Sequence, residues 1–437
     1  MTAASGSGDG SAIGAGDYGS RFGSLTVSGD LYVPQGELKV YDSNASGAEV
    51  IVTATGNIFG SATDVTQGAS ISGAGQIDNG GVIALDAALV TATVDTHNYL
   101  VTFDTQGGTD LADVRVFAPS FDAGFREIPA PPADAVWATE ADGSGEFFTE
   151  TTTLSGDTDL YAVSGFALLA TKASNCTDGD ALTVPGDLSG GLLAVNCDLI
   201  LDLNGYALET LGVDISDGHT LTIDDTRGGG TLAALPAAAS RIAGIHVPTT
   251  AALVLNNGSV TAKASEFAAG VGHDADDSGS AGAVTVNGGT LVATGAQYSA
   301  GIGGSGGRTG GTVTINGGEV IATGGGLAAG IGGGEVGHGG VLTVTGGNVT
   351  ATGSSGSAGL GGGYRGSAGE VTITGGVVNA TGGNSGPGIG NGMYYAFGDN
   401  GTITITGGNV TATAGAEYAG QVGAGIGGGA RSSGAAV

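Results

Sequence analysis

The sequence predicts an all-β solenoid of three-sided coils, and three observations lead to it. The first is a repeat of small–Gly–Ile–Gly, a loop, a strand ending in Gly-Gly and a strand ending in Ala-Thr. Its copies are Ala300-Gly-Ile-Gly with Val313-Thr-Ile-Asn-Gly-Gly and Ala322-Thr, then Ala329-Gly-Ile-Gly with Leu342-Thr-Val-Thr-Gly-Gly and Ala351-Thr. Ala358-Gly-Leu-Gly with Val371-Thr-Ile-Thr-Gly-Gly and Pro387-Gly-Ile-Gly with Ile403-Thr-Ile-Thr-Gly-Gly follow. The second is a fixed period: Val271, Ile302, Ile331, Leu360, Ile389 and Ile426 are separated by 31, 29, 29, 29 and 37 residues. The third is alternation, aliphatic residues with Thr or Asn at period two, the pattern of a strand with one buried face. Asn316-Gly-Gly and its kin also fit hairpin turns between antiparallel strands. The constant step and the third apolar column at Gly-Ile-Gly favour stacked parallel coils.

Composition narrows the function classes. The chain holds 92 glycines among 437 residues, without the Gly-X-Y period of collagen. A formal charge of −30 makes nucleic acid and anionic membranes unsuitable partners, and suits a secreted protein or one that collects divalent cations. Most of the acid precedes residue 281; beyond it stand only Glu319, Glu335, Glu370, Asp399 and Glu417. No apolar run approaches the roughly 20 residues of a membrane span. The N-terminus has neither the basic nor the apolar region of a signal peptide. Ser11-Ala-Ile-Gly at the start and Ala424-Gly-Ile-Gly-Gly-Gly at the end read as mid-repeat positions, so a longer parent protein is expected.

Taken in order, residues 1–96 read as an irregular β-solenoid segment, with Leu25-Thr-Val-Ser-Gly-Asp and Val50-Ile-Val-Thr-Ala-Thr-Gly as degenerate strands. In residues 97–166 glycine thins and aromatics gather: Phe103, Phe117, Phe121, Phe125, Trp137, Phe147, Phe148 and Tyr161, enough for a small separate core. Val101-Thr-Phe-Asp-Thr-Gln-Gly-Gly-Thr, the prolines Pro129 to Pro132, and Trp137-Ala-Thr through Asp157-Thr-Asp-Leu-Tyr-Ala resemble the internalin B-repeat (Listeria–Bacteroides repeat) family. That resemblance implies an inserted, small β-grasp-like module, a spacer or binding unit of bacterial surface proteins, without catalysis. Val163-Ser164 replace the family's usual aromatic, and its Gly-Trp pair reads Val136-Trp137. Residues 167–437 form the Gly-rich segment with ~29-residue coils. Leu199-Ile-Leu-Asp-Leu-Asn-Gly, Leu221-Thr-Ile-Asp-Asp and Leu253-Val-Leu-Asn-Asn-Gly precede the clean repeats. This series resembles the right-handed parallel β-helix surface proteins of pectate-lyase-like type, and the resemblance fixes the expected fold as a right-handed parallel β-helix.

Several groups are candidates for chemistry. Thr285, Thr314, Thr343, Thr372 and Thr404 should form one outward ladder, with Asn287, Asn316, Thr345, Thr374 and Thr406 beside it. Such an array can present hydroxyls and methyls to a polysaccharide or to ice, although threonine is also simply a good solvent-facing β residue. Asp274, Asp276 and Ser278, followed by Gly279, have the spacing of a loop wrapping oxygen ligands around calcium, and equally that of a solvated acidic turn. An EF-hand's terminal glutamate is missing, since Thr285 stands there. Asp202, Asp224, Asp225, Arg227 and Arg241 fall on successive irregular coils, as the calcium ligands and base of a β-helix lyase would, or as turn aspartates with solvated arginines. His246 and His273 sit one and two places past their columns and should face different sides. Cys176 and Cys197, 21 residues apart, can be bridged if they stack.

The expected function is therefore that of a non-enzymatic extracellular cell-surface adhesin, its β-helix stalk presenting a binding module to host or environmental glycans or surface proteins. The alternatives are a calcium-assisted polysaccharide binder and a polysaccharide lyase.

Overall fold

The computed structural model describes residues 157–394 and 401–437 throughout. Earlier in the chain it describes residues 101–111, 113, 129, 131–132, 135–141, 145 and 147–148, together with the backbone course of the strands. Two compact units result, Met1–Val163 and Ser164–Val437.

Ser164–Val437 is a parallel β-solenoid. Three sheets of nine strands each run its length. The first goes from Asp180–Thr183 to Thr402–Ile405, the second from Leu188–Gly190 to Asn409–Thr413, the third from Leu193–Val195 to Ile426–Gly428. Each strand pairs in parallel with its counterpart one rung away. Asn316-Gly-Gly accordingly joins a first-sheet strand, Thr312–Ile315, to a second-sheet strand, Glu319–Thr323, as a corner and not a hairpin.

Alternation decides which side chains form the core. In Glu370–Ile373, Val371 and Ile373 are 1% and 0% exposed while Thr372 faces outward. The predicted column stacks residue on residue: Val271 on Ile302, Ile331, Leu360, Ile389 and Ile426. Ile426 is the exposed end of this column, and burying each of the other five stabilises the fold by about 1.5–3 kcal/mol.

The glycine after each column residue is demanded by the backbone. Gly332 has φ +135°, outside the range of L side chains, and a Cβ there would sit on the carbonyl oxygen of Gly361 one rung on. Gly303, Gly361 and Gly390 repeat the arrangement.

Nothing in the repeat pattern predicts a helix, but one is present among the described residues. Helix α1, Gly165–Ser174, is capped by the Ser164 hydroxyl, which accepts from the Ala167 amide at 3.3 Å. It touches the first strand of all three sheets and so lies across the end of the core, burying Phe166, Leu168, Leu169 and Ala173. The Phe166 ring occupies the space a Cβ would need at Gly190. Just past α1, Cys176 is joined by a disulfide to Cys197 on the first rung, with Cα atoms 5.8 Å apart.

In Met1–Val163, the strands of residues 1–96 also pair in parallel; Thr2–Ala4, Leu31–Gln35, Ile58–Gly60, Gln76–Asp78 and Thr93–Asp95 make one sheet. A separate four-stranded sheet follows, in the order Val114–Phe117, Asn98–Asp104, Thr158–Ser164, Ala135–Ala138, its central pair parallel. Val101, Trp137, Phe148 and Leu160 form its core, and the indole of Trp137 donates to the Pro129 carbonyl at 2.7 Å.

Two predictions follow from these contacts. Gly332→Ala should lower the urea midpoint by the equivalent of about 3 kcal/mol or more, whereas Gly307→Ala, with open space around it, should cost about 1 kcal/mol. Reduction, or a Cys176→Ser/Cys197→Ser double variant, should cost about 3 kcal/mol from a bridge closing 21 residues, measured by the same unfolding curve.

Candidate functional site

The threonine ladder lies on the first sheet as the period requires. Thr285 pairs with Thr314, Thr343, Thr372 and Thr404 in turn. The side chains of the first four are half-buried and Thr404 is exposed. In the neighbouring column the polar groups spend themselves on one another. The Asn287 amide donates to Asn256 at 3.0 Å, Asn316 to Asn287 at 2.9 Å, and the Thr345 hydroxyl to Asn316 at 2.9 Å. Thr374 and Thr406 continue the line, exposed. On the second sheet the outward column changes from Val292 and Ile321 to Thr350, Asn379 and Thr411.

The acidic corner is organised differently from a calcium loop. Asp276 is held by the Arg241 guanidinium, which donates two hydrogen bonds at 2.7 and 3.3 Å. Asp274 accepts from the Ala243 amide at 2.6 Å, and Ser278 offers only its carbonyl, to Thr249 at 3.5 Å. The three predicted ligands thus serve separate partners on other rungs. What the corner does assemble is an ionic node around His246. Its Nδ1 lies 2.7 Å from Asp214 and its Nε2 2.8 Å from Asp277. Asp214 and His246 are register neighbours one rung apart, a pairing invisible until the irregular coils are aligned. Burial alone would push this imidazole down, but the hydrogen bonds to Asp214 and Asp277 outweigh it and carry the ring up to about 10. Burial raises Asp274, which stands beside the node. Asp277 is held below the ordinary carboxylate value: its burial is outweighed by the His246 hydrogen bond. His273, on the next rung, is fully buried, and burial holds it below its ordinary value.

Asp202, Asp224, Asp225 and Arg227 do gather at one corner, beside an open groove of about 530 Å³. Their hydrogen bonds are those of turn-builders. Buried Asp225 accepts from the amides of Gly205, Gly228 and Gly230 at 2.7, 3.2 and 2.7 Å. Asp202 accepts from the Thr226 amide and hydroxyl, bonds that outweigh its partial burial and keep it ionised below the usual carboxylate value. Arg227 lies over the Tyr206 ring and donates to its hydroxyl at 3.2 Å. Arg241 belongs to the other corner, on Asp276, so of the two readings the sequence allows the contacts fit turn aspartates.

Sequence reading missed one further group. Asp178, Asp198 and His219 bring ligand atoms within 4.8 Å of one another beside the disulfide, with the His219 Nδ1 at 3.5 and 3.8 Å from the two carboxylates. One imidazole with two carboxylates suits a transition-metal dication better than calcium. Both carboxylates are mostly exposed and each already accepts a backbone amide, of Asp198 and Thr220. Among the described residues no helix is long and apolar enough to cross a membrane.

The His246 node predicts a pH dependence with a definite sign. The folded value near 10 lies above the ordinary 6.5, so its contribution is complete below about pH 6.5, shrinks as pH rises and is gone above about 10. His246→Gln should cost about 2 kcal/mol at pH 6 and little at pH 10.5, read as the difference between wild-type and variant urea midpoints.

Five stretches of the chain, residues 284–307, 313–335, 342–364, 371–393 and 403–430, match the family described as Beta helix repeat. None of the curated proteins matches the chain, and none of the solved structures does. The five matched stretches recur in step with the stacked rungs of the three sheets, and Ser164–Val437 is a parallel β-helix built from repeats.

Proposed function

We propose that this chain is part of a non-enzymatic, extracellular adhesin of a bacterial cell surface, in which the β-helix is a stalk and residues 97–166 a binding module of internalin B-repeat type. The observation that carries the reading is the unbroken register of three sheets across nine rungs, which makes a stiff rod from a repeated unit. Supporting it, the ionisable groups that a catalytic set would use are engaged in building corners: Asp276 with Arg241, His246 with two aspartates, Asp225 with three amides. The strand order of the aromatic unit, 2-1-4-3 with a parallel central pair, agrees with a β-grasp-like module. A disulfide between Cys176 and Cys197 suits an oxidising compartment. The partners on this reading are host or environmental glycans or surface proteins. The calcium-assisted alternative draws less support, because Asp274 and Asp276 are already engaged.

Beads coated with the whole chain should adhere to glycan- or cell-coated surfaces equally with and without a chelator; adhesion abolished by chelation would replace this reading with the calcium-assisted one. Incubation with a panel of uronate polysaccharides should yield no unsaturated product at any pH between 5 and 10, and its appearance would establish a lyase.

A further inference from the structure

Beyond residue 281 the chain has no lysine and three arginines, Arg308, Arg365 and Arg431. Ile302, Ile331, Leu360, Ile389 and Ile426 occupy five successive rungs. Arg365 and Arg431 follow the third and fifth of these at the same corner position, and Arg308 follows the first one position further on. Arg365 and Arg431 therefore stand two rungs apart, about 10 Å along the axis. Among the described residues no carboxylate pairs with any of the three, in a protein whose formal charge is −30. By contrast, Arg241 is neutralised by Asp276.

Two of the three are held ready by aromatic rings. The Arg365 guanidinium lies 5.1 Å from the centre of the Tyr364 ring, and that of Arg431 lies 5.5 Å from Tyr394. Tyr364 and Tyr394 meet edge to face at 5.8 Å, making a half-buried apolar surface between the two charges. Val336, Arg365, Tyr394 and Arg431 share this corner position with φ of 61°, 63°, 59° and 56°, the left-handed region, where the first of these rungs has Gly307.

We propose that this corner binds a linear anionic polysaccharide carrying one carboxylate on every second sugar. Alternating acidic sugars recur at the length of a disaccharide, which matches two rungs. The guanidiniums would take the carboxylates, and the tyrosine rings would receive the apolar face of the intervening sugar. The acid-rich half of the protein does not oppose this, since residues 281–437 carry five carboxylates and three arginines and distant charges are screened beyond about 10 Å at 0.1 M salt. The site is independent of the stalk reading, which needs no ligand at this corner.

The test is affinity electrophoresis of the whole chain in gels cast with hyaluronan, which has this charge spacing, or with neutral dextran. Hyaluronan should retard the chain and dextran should not, with retardation falling as salt rises. Arg365→Gln/Arg431→Gln, both at exposed positions, should weaken binding about ten-fold while leaving the melting curve unchanged. An absence of retardation, equal retardation in dextran, or undiminished binding by the folded double variant would overturn the proposal.

Discussion

Everything in the solenoid depends on how closely one rung approaches the next along the third sheet. There the strands are as short as two residues, and the carbonyl of each rung fills the space where the preceding rung's side chain would begin. Glycine is the residue that tolerates both the contact and the positive φ. Given that approach, the aliphatic residue just before each glycine stacks on its own counterpart, and the first and second sheets are drawn into register with it. A glycine content that would suggest a flexible chain instead reflects tight backbone packing. Hydrogen bonding between rungs then satisfies the exposed strand edges in succession, each sheet serving as the template for its next strand.

The regular and irregular halves of the solenoid use different means. Where rungs keep the 29-residue step, repetition alone supplies each side chain with a like neighbour, and few charges are required. Between residues 198 and 280 the coils vary in length, and aspartates bridge the mismatched corners: Asp202 to Thr226, Asp225 to Gly230, Asp274 to Ala243. The acidity of this region is thus largely structural. Its histidine node follows the same logic, with two carboxylates from neighbouring rungs held together by one imidazolium.

What could be read from the sequence divides along the same line. The column from Val271 to Ile426, the threonine ladder and the inward and outward faces were all legible, because a constant step makes register a matter of counting. The corner at Asp274 stays ambiguous in the sequence because its local spacing suits a calcium loop and an acidic turn alike, while its partners, Arg241 and Ala243, lie about one irregular coil away. His246 with Asp214, and Asp178 with Asp198 and His219, required an alignment of unequal coils that no spacing rule supplies. Helix α1 escaped notice because Phe166 to Ala170 is apolar throughout and carries no 3.6-residue stripe. Its signal was the end of alternation after Ser164, at the place where a solenoid core must be covered.

The last rung is longer than those before it without disturbing their register. Between Ile389 and Ile426 the step grows to 37 residues, yet Ile373 still meets Ile405 and Ala380 still meets Ala412. A coil can therefore bulge at its corner, and by the same token a whole coil can be gained or lost, with the neighbours closing on one another in the same register. Tandem duplication of the DNA encoding one rung would lengthen the protein by about 4.8 Å without requiring any compensating substitution. Reach is then a heritable quantity, adjustable in fixed increments by recombination between nearly identical repeats.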